Sequence, residues 1–332
     1  MDYVLLTCLA LAVLLVINLL TSVFAAALWH CLSKRASAWP AAVRTKVLFM
    51  LRLLPAAAAL VSVAVFFIPS YVLYEPNPAD EVVGPRLAVI ASVSGAGVAM
   101  AVWKRFASAR ATRHLVADWI RHAEPLAIAG GGMRAFCLRH PFPLMAIVGV
   151  FRPRLFVSQS VIETLGAKEL LAALEHEAGH LAARDNLKRV LMRACRDLLP
   201  ILPWGRSLHR AWGRAAEAAA DEYAARRGAP VALDLASALV KVARMVPDGV
   251  RPTMPAGALL VGDDVDGISW RVLRLTEMAE EGQAFDKHVA FVFSGASWGS
   301  LFFILITVAY AVNLHFLKKL HAAMEQVFPL LS

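Results

Sequence analysis

The chain has 332 residues, of which 59% are hydrophobic and only 18% charged, with a formal net charge of +9. A soluble domain is about half apolar and a quarter charged, so the apolar excess needs a second home, and composition favours a membrane protein. The wealth of Leu, Val, Ile and Phe excludes disorder. The scattered cysteines Cys8, Cys31, Cys137 and Cys195 form neither a disulfide framework nor a thiolate metal pair.

Four apolar runs are long enough to cross a bilayer as helices. The first, Val4 to Trp29, carries no charge, and Asp2 without a leading Lys or Arg argues for a retained helix over a cleaved signal. Val47 to Tyr74 is interrupted only by Arg52, one turn from its basic end, where a long side chain can snorkel to the headgroups. Leu87 to Trp103 is Gly/Ser-rich, which suits close helix packing, and Val289 to Asn313 is the fourth run. Lys34, Arg35, Arg44 and Lys46 follow the first run, Glu75, Asp80 and Glu81 follow the second, and Lys104, Arg105, Arg110 and Arg113 follow the third. The positive-inside rule then places the first loop and residues 104–288 in the cytoplasm, with both termini outside, although Lys318 and Lys319 run against that count.

Residues 104–288 hold 26 of the 34 Lys and Arg and 20 of the 25 Asp and Glu. About 185 residues suffice for one domain with its own core. Lys104 to Glu124 has helical periodicity and is expected to continue the third membrane helix. Met145 to Val157 reads as two short strands around an Arg-Pro turn, and beyond Ser160 the period becomes helical. The expected division is a three-helix membrane region (1–103), a soluble domain (104–288), a fourth membrane helix (289–313) and a short tail (314–332).

The strong helix former from Glu169 to Arg184 contains His176-Glu177-Ala178-Gly179-His180, an HExxH pattern. Residues four apart share a helical face, so both imidazoles can bind one Zn²⁺ while Glu177 reaches a metal-bound water as general base. A catalytic zinc needs a third protein ligand, and Glu217, on a second helix former, can supply it. Asp221, one turn on, can accept the outer N–H of a ligating histidine. Glu175 and Glu222 point elsewhere and read as solvated residues. Tyr223 lies off the face of Glu217 and His209 has no fixed geometry, so both read as structural and the oxyanion donor is unassigned. Between the two motifs, Arg184 to Arg214 is basic around the apolar Leu198 to Trp204, either an interfacial segment near anionic lipid or a core helix pair with a proline break.

His176-Glu177-x-x-His180 with Arg184-Asp185, then Glu217-x-x-Ala220-Asp221 without an intervening membrane run, resembles the BlaR/MecR-type integral-membrane zinc peptidases. Gly149 to Val157 resembles the strand pair beside their active-site helix, and Arg271 to Leu275 resembles a basic-apolar helix late in the domain. The resemblance implies a mainly α membrane protein, with three helices before and one after an α+β gluzincin-type zinc peptidase domain. About 19 residues follow Asn313, so a counterpart of that family's extracellular penicillin-binding sensor is not expected. HtpX-type peptidases share the zinc motif but usually insert membrane helices before the third ligand.

The expected function is therefore a membrane-anchored zinc endopeptidase of a bacterial inner membrane, using one Zn²⁺ held by His176, His180 and Glu217, with Glu177 as base. It is expected to cleave a cytoplasmic protein in regulatory signalling, a transcriptional repressor or the chain itself. An extended substrate is expected to add as a strand beside Leu155, Phe156 and Val157. No direct nucleic-acid partner is expected; membrane lipids are. The alternatives are a quality-control peptidase of HtpX type and a non-catalytic zinc-containing signalling scaffold. A transporter is disfavoured because the apolar runs carry no polar pathway.

Overall fold

The computed structural model describes residues 3–74, 83–126, 134–195, 204–246 and 265–280, together with 317–319, 321, 322 and 326. The expected fourth helix at 289–313 and most of the tail lie outside the described residues.

Among the described residues, three helices are long and apolar enough to cross a membrane. Helix α1 runs Tyr3–Ala36; α2 (Ala41–Val61) continues through a π-helical turn, Ser62–Phe67, into α3 (Ile68–Tyr74); α4 spans Pro85–His122. At 1.5 Å per residue, the 34 residues of α1 extend about 51 Å, well beyond a hydrocarbon core of about 30 Å. The surplus is used for docking. Ala25 of α1 and Leu48 and Leu51 of α2 share a buried cluster with Met192, Leu208, Trp212, Ala215 and Ala216. Helix α4 continues past its apolar part, as its periodicity implied, and buries Trp119 against the sheet. Trp103 and Phe106 stay exposed just beyond that part, where aromatic side chains favour a membrane interface.

Arg52 does not snorkel. It is buried, and its Nη1 donates to the Cys195 carbonyl at 3.1 Å. The C-terminal end of the helix Asp185–Ala194 covers this turn of α2, so a protein carbonyl takes the place of headgroup or water.

The expected strand pair forms an antiparallel hairpin, β3 (Met145–Val148) with β4 (Arg154–Ser158). Gly149 makes its turn possible: at φ +110 a side chain there would meet the Arg152 carbonyl oxygen at 2.8 Å. Two strands not read from the sequence, β1 (Glu124–Leu126) and β2 (Arg134–Leu138), complete a sheet of order β1-β2-β4-β3 in which β2 and β4 run parallel. One face carries Met145, Ile147, Leu155 and Val157 into the main core with Ala172, Ala173, Leu235 and Leu239; Ala146, Val148 and Phe156 pack with Trp119 on the other.

The described residues continue with α5 (Gln159–Thr164), α6 (Ala167–Ala182), α7 (Asp185–Ala194), α8 (Trp204–Ala225), α9 (Ala229–Met245) and α10 (Val265–Glu280). Of the two readings of residues 184–214, the described parts favour the core helix pair, since Met192 of α7 and Trp212 of α8 are buried against α1 and α2. Residues 196–203 lie outside the described residues. Helix α6 is anchored at its start by Glu169, which accepts from the Gly166 N–H (2.8 Å), Ser237 (2.6 Å) and Lys241 (2.8 Å), tying the helix to α9.

Candidate metal centre

Helix α6 places His176, Glu177 and His180 on its buried side, because an amphipathic helix of this period turns residues three and four apart toward the core. Helix α8 crosses it at Gly179, where a Cβ would lie 3.1 Å from the Ala220 backbone and 3.0 Å from Tyr223 Cβ. That close approach brings Glu217, one turn before Ala220, to the two imidazoles. His176 Nε2 and His180 Nε2 each lie 3.6 Å from a Glu217 carboxylate oxygen. Two ligands of one tetrahedral zinc at about 2.0–2.1 Å are about 3.4 Å apart, so these separations fit a shared ion. All three ligand atoms fall within 4.8 Å of one another, and the buried Glu217 Oε2 accepts no hydrogen bond among the described residues.

The outer nitrogens are also held. His176 Nδ1 meets Asp221 at 2.9 Å, in the geometry the sequence spacing allowed. His180 Nδ1 meets Asp185 at 2.8 Å. Asp185 is five residues past His180 and would not share its face on a continuous helix. Arg184 breaks the helix in the left-handed region (φ 54, ψ 40) and turns Asp185 back. Each carboxylate can accept an Nδ1–H, which turns the Nε2 atom of that ring toward Glu217, the usual role of such partners at a metal site.

Arg271 of α10 completes the buried side. Its Nε and Nη2 donate to the two Asp221 oxygens at 2.8 and 2.6 Å, and its Nη1 lies 3.3 Å from Glu217. The sequence marked this helix only by its basic-apolar pattern; nothing local connected Arg271 to Asp221, fifty residues away.

On the open side, Glu177, His180 and Glu217 line one small pocket with Ile147, Asp185, Asn186 and Arg189. Burial alone would push the His176 imidazole down, but Asp221 and Glu217 outweigh it and raise its pKa. Burial opposes charge on His180 as well, and Glu217 and Asp185 raise it to about 10. Desolvation opposes charge on Glu217, but His180, His176 and Arg271 hold it well below the ordinary carboxylate range, and Arg271 holds the desolvated Asp221 at about 2. Glu177 differs: desolvation dominates and raises its carboxyl despite the two imidazoles.

Two sequence expectations are corrected here. Leu155, Phe156 and Val157 are fully buried in β4, which lies between β2 and β3, so no edge is free there for a substrate strand. The edge is β3: Leu144 bonds to Ser158 and the alternation of an antiparallel pair turns Ile147 and Gly149 outward. Their carbonyls accept from the Asn186 side-chain amide at 2.8 and 3.0 Å. Glu222 is likewise not solvated. It is buried, accepts from the Ala41 N–H at the start of α2 (3.1 Å), and pairs with Arg274 of α10. Glu175 does remain on the surface side, paired with Arg227. Tyr223 packs on Gly179 and His209 stacks on Trp212, and neither lines the pocket.

Residues 144–280 match the model of peptidase family M48. The match begins at β3 and ends with α10, so it contains the three candidate ligands, Glu177, Asp185, Asp221 and Arg271. It supports a peptidase domain of metallopeptidase type, and M48 peptidases are typically zinc-dependent. The matched family is thus a metallopeptidase family, without the BlaR/MecR assignment drawn from the sequence. No curated protein matches the chain.

Proposed function

We propose that this chain is a membrane-anchored, zinc-dependent endopeptidase. The observation that carries the reading is the convergence of two imidazole Nε2 atoms on Glu217, with Glu177 facing the same pocket. His176, His180 and Glu217 would hold the ion, which when bound supplies a polarised carbonyl and a water acidic enough to be deprotonated near neutrality. Asp221 and Asp185 fix the tautomers of the two histidines. Glu177 removes the proton as the water oxygen bonds to the scissile carbonyl carbon. It returns that proton to the amine nitrogen as the C–N bond breaks, a role its raised pKa suits. An extended substrate is expected along the outer edge of β3 instead of β4, because Ile147 of β3 lines the pocket.

The site is proposed to face the cytoplasm of a bacterial cell, from the loop charges, and to act on a regulatory protein such as a transcriptional repressor, or on the chain itself. A fourth crossing by Val289 to Asn313 is supported by where the chain reappears. Ser70 Oγ donates to the Leu317 carbonyl at 2.9 Å and Tyr74 lies against His321. Ser70 is about 44 Å along the helix from Ala41, whereas Glu222 joins Ala41 to α10 at the peptidase end.

Glu177→Gln in the full-length chain tests the reading. Zinc should remain at one ion per chain while cleavage of casein falls by at least 10³-fold; cleavage at the wild-type rate would refute a peptidase centred on Glu177.

A further inference from the structure

A metallopeptidase of this kind needs a donor for the negative charge that develops on the scissile carbonyl oxygen, and the described donors near the site are mostly committed. Arg271 is buried behind the cluster and holds Asp221 with two hydrogen bonds. The Asn186 amide is bonded to the β3 carbonyls. Tyr223 is packed against Gly179, and His209 stacks on Trp212 outside the pocket.

Arg189, one turn beyond Asp185 on α7, is placed otherwise. It lines the pocket with Glu177, His180 and Ile147, and its Nη2 lies 3.5 Å from Glu217 Oε1, the carboxylate oxygen next to His180. Arg271 approaches the other oxygen from the buried side. The two guanidiniums therefore flank Glu217, with Arg189 on the face that substrate would enter. Its single contact to Glu217 is long, which leaves donors of its five N–H groups for a ligand. The Arg189 guanidinium also sits over the Trp212 ring, 5.5 Å from its centroid. Trp212 is itself fixed, 1% exposed among Leu48, Leu51, Ala25 and Met192. A cation on a rigid aromatic platform is positioned before substrate arrives, the condition under which such a donor stabilises a transition state most.

We infer that Arg189 is a catalytic residue whose guanidinium donates to the oxyanion of the scissile carbonyl during attack by water, and that Trp212, packed on α1 and α2, positions it. In that step the water oxygen bonds to the carbonyl carbon, the C=O electron pair moves onto oxygen opposite Arg189, and the proton passes to Glu177. The pair then returns as the C–N bond breaks. This inference rests on the peptidase reading above.

The test uses the full-length, zinc-loaded chain in detergent micelles, with two variants, Arg189→Gln and Arg189→Lys. Casein cleavage is followed for kcat and KM, zinc by elemental analysis, and binding of phosphoramidon, whose phosphoryl oxygens carry charge in tetrahedral geometry, by calorimetry. Arg189→Gln should keep its zinc, lose about 10²–10³-fold in kcat with KM within about threefold, and bind phosphoramidon weaker by a comparable factor; Arg189→Lys should recover part of both. Unchanged kcat and phosphoramidon affinity would overturn the inference, as would a loss confined to KM or loss of zinc from both variants. Wild-type chain that binds zinc but cleaves no casein, combined with weakened phosphoramidon binding in Arg189→Gln, would remove the peptidase reading and leave the anion contact standing.

Discussion

Gly179 offers the sharpest test of how the site is assembled. It lies inside the HExxH segment but ligates nothing; its role is to let α6 and α8 touch. In an ordinary helix Gly→Ala gains about 0.8–1.0 kcal/mol from backbone entropy. Here the new Cβ would stand 3.1 Å from Ala220 Cα and 3.0–3.2 Å from Tyr223 Cβ and Cγ. Ala220 Cα is main chain and cannot rotate away, so α8 must move by a few tenths of an ångström. Overpacking of this kind costs about 1–3 kcal/mol, leaving a net penalty of up to about 2 kcal/mol. Because Glu217 is three residues from Ala220, the shift falls on the proposed third ligand. At about 1.4 kcal/mol per tenfold, zinc affinity of Gly179→Ala should fall roughly tenfold. Competition with a chromogenic chelator measures it, and thermal melts with and without zinc separate affinity from stability. An alanine variant with unchanged zinc affinity and a raised Tm would refute the argument, since it would mean that helix propensity alone governs this position.

Two further outcomes follow from the polar anchors. Asp185→Asn keeps the shape of the side chain but weakens its grip on His180 Nδ1, and zinc affinity should fall about 10–100-fold with little change in helicity; equal affinity would make that bond incidental. At Glu169, desolvation pushes the carboxyl up, but Lys241, Ser237 and the Gly166 N–H outweigh it and hold the pKa below the ordinary value near 4.5. A depressed folded-state pKa adds stability above that value and loses it as pH falls through the folded value. The Tm deficit of Lys241→Met should accordingly be full at pH 7 and shrink as pH drops below about 4.5; a deficit independent of pH would show that Lys241 acts through packing.

Much of the site was legible because its key spacings are local. HExxH on a strong helix former fixes His176, Glu177 and His180 on one face whatever the fold, and the four-residue step from Glu217 to Asp221 does the same on α8. The β3–β4 hairpin was readable for a similar reason: two short apolar runs flank an Arg-Pro turn. The apolar runs and their flanking charges gave three of the helices directly, since length and hydropathy are properties of the chain.

What remained depends on contacts between distant segments. Leu155 to Val157 were assigned to a substrate-facing edge because β1 and β2 had not been recognised, and pairing with β2 is what buries β4 in the centre of the sheet. Glu222 looked solvated from its angle on α8, but that face is covered by the start of α2 and by Arg274. Arg52 was expected at the headgroups and instead meets the end of α7. Asp185 reaches His180 only through the left-handed turn at Arg184, and Arg271 and Arg189 come to Glu217 from two other helices. Candidate metal-binding residues and membrane-crossing stretches could be read from the sequence, because spacing along a helix, and the length and hydropathy of a run, are properties of a single segment. Which charges surround that candidate metal site, and which strand edge faces it, followed only from the tertiary structure, because they depend on how separate helices and strands pack.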